Sequence, residues 1–261
     1  MDNTTFTLSF QHVVVFEKIM EKNNDTIKNI NEIRLLSAYY KNSVHTERLE
    51  TFKKRYSMFG TALKRVGDIA LATSALAVIF PPLFIASCIN SLFHKEGKHP
   101  VFFRQKRTGK YGKTFYCLKF CSMRKNALAD IKQATANDPR ISRYGAFLRK
   151  HSLDEVPQFI NVLIGDMAIV GPRPHMLRET ISYSSKIDNY MLRHGVKPGV
   201  TGYAQVTGFR GETKELSQMI GRVECDVWYV QNRTLWLDFL IIVNTPLSIL
   251  RFKLLPMKKR N

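Results

Sequence analysis

An α+β fold held on one leaflet of a membrane is the architecture this sequence predicts, and three observations predict it. Ile69 to Leu92 is a long apolar run with no charged residue, broken near its middle by Pro81-Pro82. Residues 101–120 read as two strands around a glycine turn, Gly109 to Gly112, which gives a small β-hairpin or sheet. Short apolar helices follow, one of them flanked by tryptophans near the C-terminus. No internal repeat or low-complexity tract interrupts them.

The first 60 residues carry helical spacing at Ile27, Ile30 and Ile33 amid Asn, Lys and Glu, and end in Lys53-Lys54-Arg55. They predict a polar helical extension of unknown role, with the main domain over 61–261. The extension lacks the basic start, apolar run and small-residue cleavage site of a signal peptide, so none is expected. The apolar run is long enough to cross a bilayer. Its prolines remove two backbone donors and clash with the preceding turn, so the helix should bend sharply. Lys64 and Arg65 lie before it and Lys95, Lys98, Arg104, Lys106 and Arg107 after it. Basic residues favour the cytoplasmic side, and here both ends carry them. A re-entrant helix over about 66–93, entering and leaving through one leaflet, satisfies both ends. A straight single span and a buried helix of a soluble core are the alternatives.

Beyond the hairpin, Asn137-Asp138-Pro139-Arg140 reads as a turn, and a helix pattern leads from it to Arg149-Lys150. Phe159 to Ile164 forms a short apolar helix ended by Gly165. Asp166 to Val170 reads as a strand feeding Gly171-Pro172-Arg173-Pro174. Trp236 to Leu250 is apolar but interrupted by Asp238 and Pro246, and it is short for a span. With Trp228, Tyr229 and a basic tail around it, it predicts an interfacial helix.

The chain's 261 residues and 44% hydrophobic content suffice for one large domain or two small ones. With 40 Lys and Arg against 21 Asp and Glu, the formal net charge is +19. That balance implies an anionic partner, which charge alone leaves open among nucleic acid, anionic lipid and phosphorylated small molecules. Cys88, Cys117, Cys121 and Cys225 lack zinc-site spacing and read as reduced thiols facing a cytoplasm.

Against this basic background the segment Ser152-Leu153-Asp154-Glu155-Val156-Pro157-Gln158 stands out. Ser152-x-x-Glu155 has the form of a capping box, and Pro157 offers a second helix start. Either start puts Asp154 and Glu155 near the positive end of a helix, which favours ionised carboxylates. An ionised aspartate can attack phosphorus while its neighbour helps to hold a divalent cation. Arg149 lies close in sequence, and Arg173 is fixed between two prolines, where its planar fork could clamp a diphosphate. An exposed structural arginine is the plainer reading of the same loop. Lys197 to Glu212 adds four glycines and Arg210, and such loops let backbone amides approach phosphate. Phosphate-loop, dinucleotide, serine-hydrolase and zinc-protease motifs do not occur.

Several ordered motifs carry a resemblance. They are Lys64-Arg65-x-x-Asp68, the proline-broken helix, Arg104-Gln-Lys-Arg-x-Gly-x-x-Gly-Lys113 and the Asn-Asp-Pro-Arg turn. With them come Ser-Leu-Asp-Glu-Val-Pro-Gln, Gly165-Asp-Met-Ala-Ile-Val-Gly-Pro-Arg-Pro-His175 and Lys197-Pro-Gly-Val-Thr-Gly-Tyr-Ala-Gln205. Together, from about residue 60 to about 250, they resemble the bacterial sugar transferases, the monotopic phosphoglycosyl transferases that load a sugar phosphate onto a polyprenyl phosphate.

The resemblance implies a catalytic core over about 100–255, on the cytoplasmic face of a bacterial inner membrane. It implies that Asp154 attacks the β-phosphorus of a UDP-sugar and releases UMP, and that undecaprenyl phosphate then takes the sugar phosphate. By the same resemblance Asp154 and Glu155 bind Mg²⁺, and Arg149, Arg173, Arg210 and Lys119 handle phosphate or nucleotide. Gly202 to Glu212 looks like the branch using glucose 1-phosphate or galactose 1-phosphate, for exopolysaccharide, capsule or lipopolysaccharide. Membrane lipids are expected partners, a homodimer is compatible with the family, and nucleic acid is not expected. The family usually has Arg where this chain has Cys121, which puts a phosphate contact there in doubt. A basic monotopic membrane protein that binds anionic lipid or nucleic acid without catalysis is the rival reading.

Overall fold

A computed structural model describes residues 58–92, 100–124, 138–211, 213 and 215–249. The expected helical extension, the flanking Lys53, Lys54, Arg55, Lys95 and Lys98, and the basic tail lie outside the described residues. So does Asn137 of the turn, whose Asp138 accepts a charged bond from Arg140 Nε at 2.8 Å.

The apolar run forms two helices, α1 (Met58–Val78) and α2 (Phe80–Leu92), bent by 49° at Ile79. Pro81 and Pro82 occupy the first turn of α2, where the missing N–H groups have no intrahelical partner in any case. They therefore end α1 without unravelling α2. The helix begins well before Ile69, because the amphipathic stretch with Lys64, Arg65 and Asp68 continues the same coil. Among the described residues no single helix is long and apolar enough to cross a membrane, although the bent pair is when taken together.

Strands β1 (Phe102–Thr108) and β2 (Thr114–Phe120) pair antiparallel, from Phe102 opposite Phe120 to Thr108 opposite Thr114. The pleat puts Phe102 and Phe120 on one face, where their stacked rings meet Phe80 and Phe84 of α2. Lys119, Cys117, Gln105 and Arg107 share the opposite face. The hairpin thus joins the bent helices on one side to a polar region on the other.

Helix α3 (Arg143–Lys150) starts at Ser142, whose side chain accepts from the Gly145 N–H at 2.9 Å. A Cβ on Gly145 would fall 1.8 Å from the Ser122 carbonyl, so glycine lets α3 lie against the chain leaving β2. Helix α4 (Gln158–Ile164) follows and ends at Gly165, which has φ 96°. Arg65 of α1 donates to the Val162 and Leu163 carbonyls at 2.6 and 2.8 Å, adding a side-chain donor to the last turn of α4, where Val162 O also accepts from the Gly165 N–H at 3.1 Å.

Strand β3 (Ala168–Val170) is shorter than the predicted 166–170 segment and pairs in parallel with β4 (Gly199–Thr201). Here Gly199 and Gly202 admit a close backbone approach. A Cβ on Gly199 would lie 2.1 Å from the Gly171 nitrogen, and one on Gly202 would lie 2.3 Å from the Gly171 carbonyl oxygen. These residues let two backbones touch. The core over this small sheet includes Met167, Val170, Val206, Tyr229 and Ile241, and full burial of each Met, Val or Ile side chain is worth roughly 1.5–3 kcal/mol.

Among the described residues the remaining α-helices are α5 (Leu177–Ser184), the single turn α6 (Tyr203–Val206), α7 (Leu216–Asn232) and α8 (Leu235–Ile249), with a 3₁₀ helix (Tyr190–Gly195) between α5 and α6. Along α8 the exposed residues Trp236, Phe239 and Val243 follow helical spacing, whereas Asp238, Ile241 and Asn244 are buried. Asp238 accepts from Tyr229 Oη at 2.6 Å and pairs with Lys64 Nζ at 2.7 Å. That network ties the last helix to the first.

Candidate active site

The Asp-Glu pair sits in a 3₁₀ turn, Leu153–Glu155, between α3 and α4. The capping box does not form. Ser152 adopts a left-handed conformation at φ 57°, which reverses the chain after α3, and its hydroxyl accepts from Arg210 at 2.8 Å. Glu155 points away toward two cations, and the α-helix starts only after Pro157. A non-glycine residue held at positive φ is a strained feature that the surroundings must enforce. Here the flanking Leu153 and Val156 enforce it, packing with Phe120, Leu148, Phe80 and Leu83. The turn is therefore seated on the contact between the hairpin and the bent helices, and Pro81 and Pro82 bear on the site through that contact.

Glu155 is gripped on both oxygens. Lys119 Nζ donates to Oε1 at 2.7 Å, Arg173 Nη2 to Oε1 at 2.5 Å and Arg173 Nη1 to Oε2 at 3.0 Å. Burial alone would raise its pKa, but Arg173 and Lys119 outweigh it and hold the carboxyl well below the usual range. The neighbouring Asp154 is 6% exposed. Burial pushes its pKa up and the Glu155 charge adds to that, while Lys119, Arg149 and Arg173 pull it down. One carboxylate is neutralised by direct pairing. The other is left with a net penalty on its charge, as a group poised to react would be.

Each gripping residue is itself anchored. Lys119 lies on β2, which is pinned to α4 by Asn161: its side chain accepts from the Leu118 N–H at 2.9 Å and donates to the Tyr116 carbonyl at 2.8 Å. That side chain mimics a neighbouring strand along the edge of β2. Arg173 leaves β3 in the Pro-Arg-Pro loop. The loop is held by Arg107, donating to the Pro174 carbonyl at 3.2 Å, and by the Thr108 N–H, donating to the His175 carbonyl at 3.1 Å. The Arg173 side chain is 34% exposed, so one face stays open to a ligand.

Of the residues expected from sequence, Glu155, Lys119 and Arg173 meet directly, and Asp154 lies beside Glu155 in the field of the two cations. Arg149 stands at the end of α3, where its charge acts on Asp154 and its guanidinium lies 3.5 Å from Met123 Sδ. Arg210 reaches the same turn through Ser152. Cys121 donates to the Met123 carbonyl at 3.3 Å, and burial raises its thiol pKa, which favours the neutral thiol at this edge. Sequence reasoning missed Asn161, Arg193, Arg222 and Asp226. Asp226 carried a signal, since it interrupts the apolar face of Met219, Val223 and Val230 on α7.

A divalent cation fits this donor set. Asp154 and Glu155 offer adjacent carboxylates, and Glu155 Oε2 accepts one bond where a carboxylate oxygen can accept two. Mg²⁺ commonly uses one or two carboxylates plus substrate phosphate oxygens. Among the described residues no group of three or more acidic, histidine or cysteine side chains is placed to hold a metal ion.

Residues 59–252 match the sequence profile described as "Bacterial sugar transferase". The chain is 49% identical over 189 residues to the UDP-glucose:undecaprenyl-phosphate glucose-1-phosphate transferase of Xanthomonas campestris pv. campestris, covering 72% of this chain and 38% of that protein. It is 49% identical over 185 residues to the protein of the same name from Escherichia coli K12, covering 70% and 39%. With that from Caulobacter vibrioides it shares 40% identity over 188 residues, covering 72% and 69%. The match thus spans about two fifths of the first two relatives.

Proposed function

The chain belongs to the bacterial sugar transferase family, and from this premise we propose that it transfers a hexose 1-phosphate from a UDP-sugar to undecaprenyl phosphate. The observation that carries the reading is the contrast between the two carboxylates. Glu155 is paired with Lys119 and Arg173, whereas buried Asp154 beside it forms no ion pair among the described residues.

In the proposed first step an Asp154 carboxylate oxygen forms a bond to the β-phosphorus. The bond from that phosphorus to the bridging oxygen breaks, and the oxygen leaves with its electron pair on UMP. Arg173 and Arg210 face the diphosphate, whose charge develops on the leaving oxygen, and their fixed forks favour that charge. In the second step a phosphate oxygen of undecaprenyl phosphate attacks the same phosphorus. The acyl–phosphate bond breaks and the Asp154 carboxylate is restored. A covalent intermediate lets two polyanions use the site in turn. Bound Mg²⁺, held by Asp154 and Glu155, would neutralise diphosphate charge.

The same reading makes α1 and α2 a re-entrant pair, entering the cytoplasmic leaflet of the bacterial inner membrane, with the apolar face of α8 on the interface. The exposed Phe84, Ile85 and Ile89 of α2 and Trp236 and Phe239 of α8 support this. A polyprenyl acceptor reaching the Leu153–Val156 turn from the bilayer would pass the Phe80–Phe120 cluster. Glucose is the first choice of sugar, in keeping with the names of the relatives above, and galactose is the second. The test is UMP release from a panel of UDP-sugars, with undecaprenyl phosphate and Mg²⁺. The account expects UDP-glucose to be fastest. Inert hexose donors beside an active N-acetylated donor would overturn the sugar alone, and no release from any donor would favour a non-catalytic, lipid-binding protein.

A further inference from the structure

Two arginines converge on the turn that carries Asp154, and both trace back to one face of α7. Arg173 grips Glu155, and its own carbonyl oxygen accepts from Arg193 Nη2 at 2.8 Å. Arg193 is 1% exposed and is fixed by Asp226 of α7, which accepts from its Nε at 3.1 Å and its Nη2 at 2.6 Å. Arg210 bonds Ser152, and the carbonyl of the adjacent Gly211 accepts from Arg222 Nη2 at 2.9 Å. Arg222 and Asp226 are four residues apart on α7, so they share a face one turn apart.

The burial of these groups needs an explanation. A buried ion pair such as Arg193 with Asp226 is weak evidence for stability, since apolar replacements of similar volume do about as well. What apolar side chains cannot supply is the remaining donor, which reaches the backbone of the loop carrying Arg173. The contact from Arg222 to Gly211 has the same form, a guanidinium donating to the backbone beside an active-site arginine. Gly211 has φ 97°, a conformation open to glycine at no steric cost, and the Arg222 bond fixes its carbonyl there.

We propose that Arg222 and Asp226 form a brace on α7 that sets the positions of Arg173 and Arg210, Asp226 acting through Arg193. None of the three touches the reacting atoms, so they are positioning residues. The proposal rests on the reading of Arg173 and Arg210 as diphosphate-binding groups. It goes further by assigning their geometry to one helix. A misplacement of the order of 1 Å in such a group can cost about 100-fold in rate, which sets the scale expected.

The test is a pair of mutant cycles on the full chain, read by UMP release from UDP-glucose and by the inhibition constant of UDP. Arg193→Met with Asp226→Leu removes the buried charges together, so the fold should survive with a melting temperature close to wild type. The double variant should lose about 10- to 100-fold in kcat/KM and weaken UDP inhibition several-fold. In an Arg173→Ala background the same replacement should have almost no further effect on either readout, because its route to the substrate is gone. Arg222→Met and Arg210→Ala form the second cycle, which decides the matter if the first double variant does not fold. Additive losses in the readable cycle would overturn the brace while leaving the diphosphate reading intact. If Arg173→Ala and Arg210→Ala leave both readouts at wild-type values, the diphosphate reading falls and the brace with it.

Discussion

Adjacent carboxylates with opposite pKa shifts should respond with opposite signs when each is made an amide. Glu155→Gln keeps one oxygen where Lys119 and Arg173 Nη2 donate, but turns an amide N–H₂ toward Arg173 Nη1. One charge-assisted bond is lost, a donor faces a donor, and two cations lose their counterion. The bond is worth roughly 1.5–3 kcal/mol. Arg173 is a third exposed, so water screens part of the loss, and a total near 2 kcal/mol is expected. For a folded region of this size that lowers the melting temperature by about 4–8 °C.

Asp154→Asn should raise the melting temperature at pH 7.5 while abolishing turnover, because burial raises the Asp154 pKa and folding therefore disfavours its charge. The pH dependence follows from the same directions. Glu155 has a depressed pKa, so its stabilising contribution is present above the unfolded value of 4.5 and is lost only as pH falls through the lower folded value. The deficit of Glu155→Gln should thus be constant between pH 8 and pH 5. Asp154 has a raised pKa, so wild-type stability is lost as pH rises through that folded value, and the gain of Asp154→Asn should shrink as pH falls toward 3.8. Thermal melts of the detergent-solubilised protein across this range give the answer. If Glu155→Gln melts at or above wild type, or Asp154→Asn clearly below it, the division of roles between the two carboxylates is wrong.

Other predictions concern the scaffold. Asn161→Leu removes the strand mimic and leaves the Leu118 N–H and Tyr116 carbonyl without it; at roughly 1–3 kcal/mol per unsatisfied group, urea titration should show a loss of at least about 2 kcal/mol. Arg65→Ala removes a side-chain donor from the Val162 and Leu163 carbonyls, and hydrogen exchange at 158–165 should accelerate without a change at the hairpin. Replacing Pro81 and Pro82 with Ala should straighten the 49° bend. Single cysteines near residues 50 and 98, in a background lacking the native four, should both be shielded from an impermeant external reagent in the wild-type helix. External labelling of the site near residue 50 alone would mean an ordinary span.

The site was legible in sequence where its chemistry is local. Asp154 and Glu155 are adjacent, Arg173 is framed by prolines, and the break at Pro81-Pro82 follows from proline geometry wherever the chain runs. The reading of Ser152-x-x-Glu155 as a capping box failed for a physical reason. Its two side chains have stronger partners from distant elements, Arg210 for the serine and Lys119 and Arg173 for the glutamate, and no local pattern records them. The glycines of 197–212 were read for phosphate because glycine permits any close approach. In the fold, Gly199 and Gly202 admit the Gly171 backbone. Asn161 looked like an ordinary polar residue in an apolar helix, since its partners are the backbone of β2.

The covalent intermediate on Asp154 is the central claim, and intact-protein mass spectrometry tests it directly. The full chain is mixed with UDP-glucose and Mg²⁺, acceptor is withheld, and the reaction is quenched in acid. The account predicts that UMP forms in an amount matching the enzyme, and that the protein gains the mass of one hexose phosphate on the peptide containing Asp154. Adding undecaprenyl phosphate should remove the adduct, and Asp154→Asn should never acquire it. UMP formation that requires acceptor, with no adduct at any time, or an adduct on another residue that persists in Asp154→Asn, would contradict it.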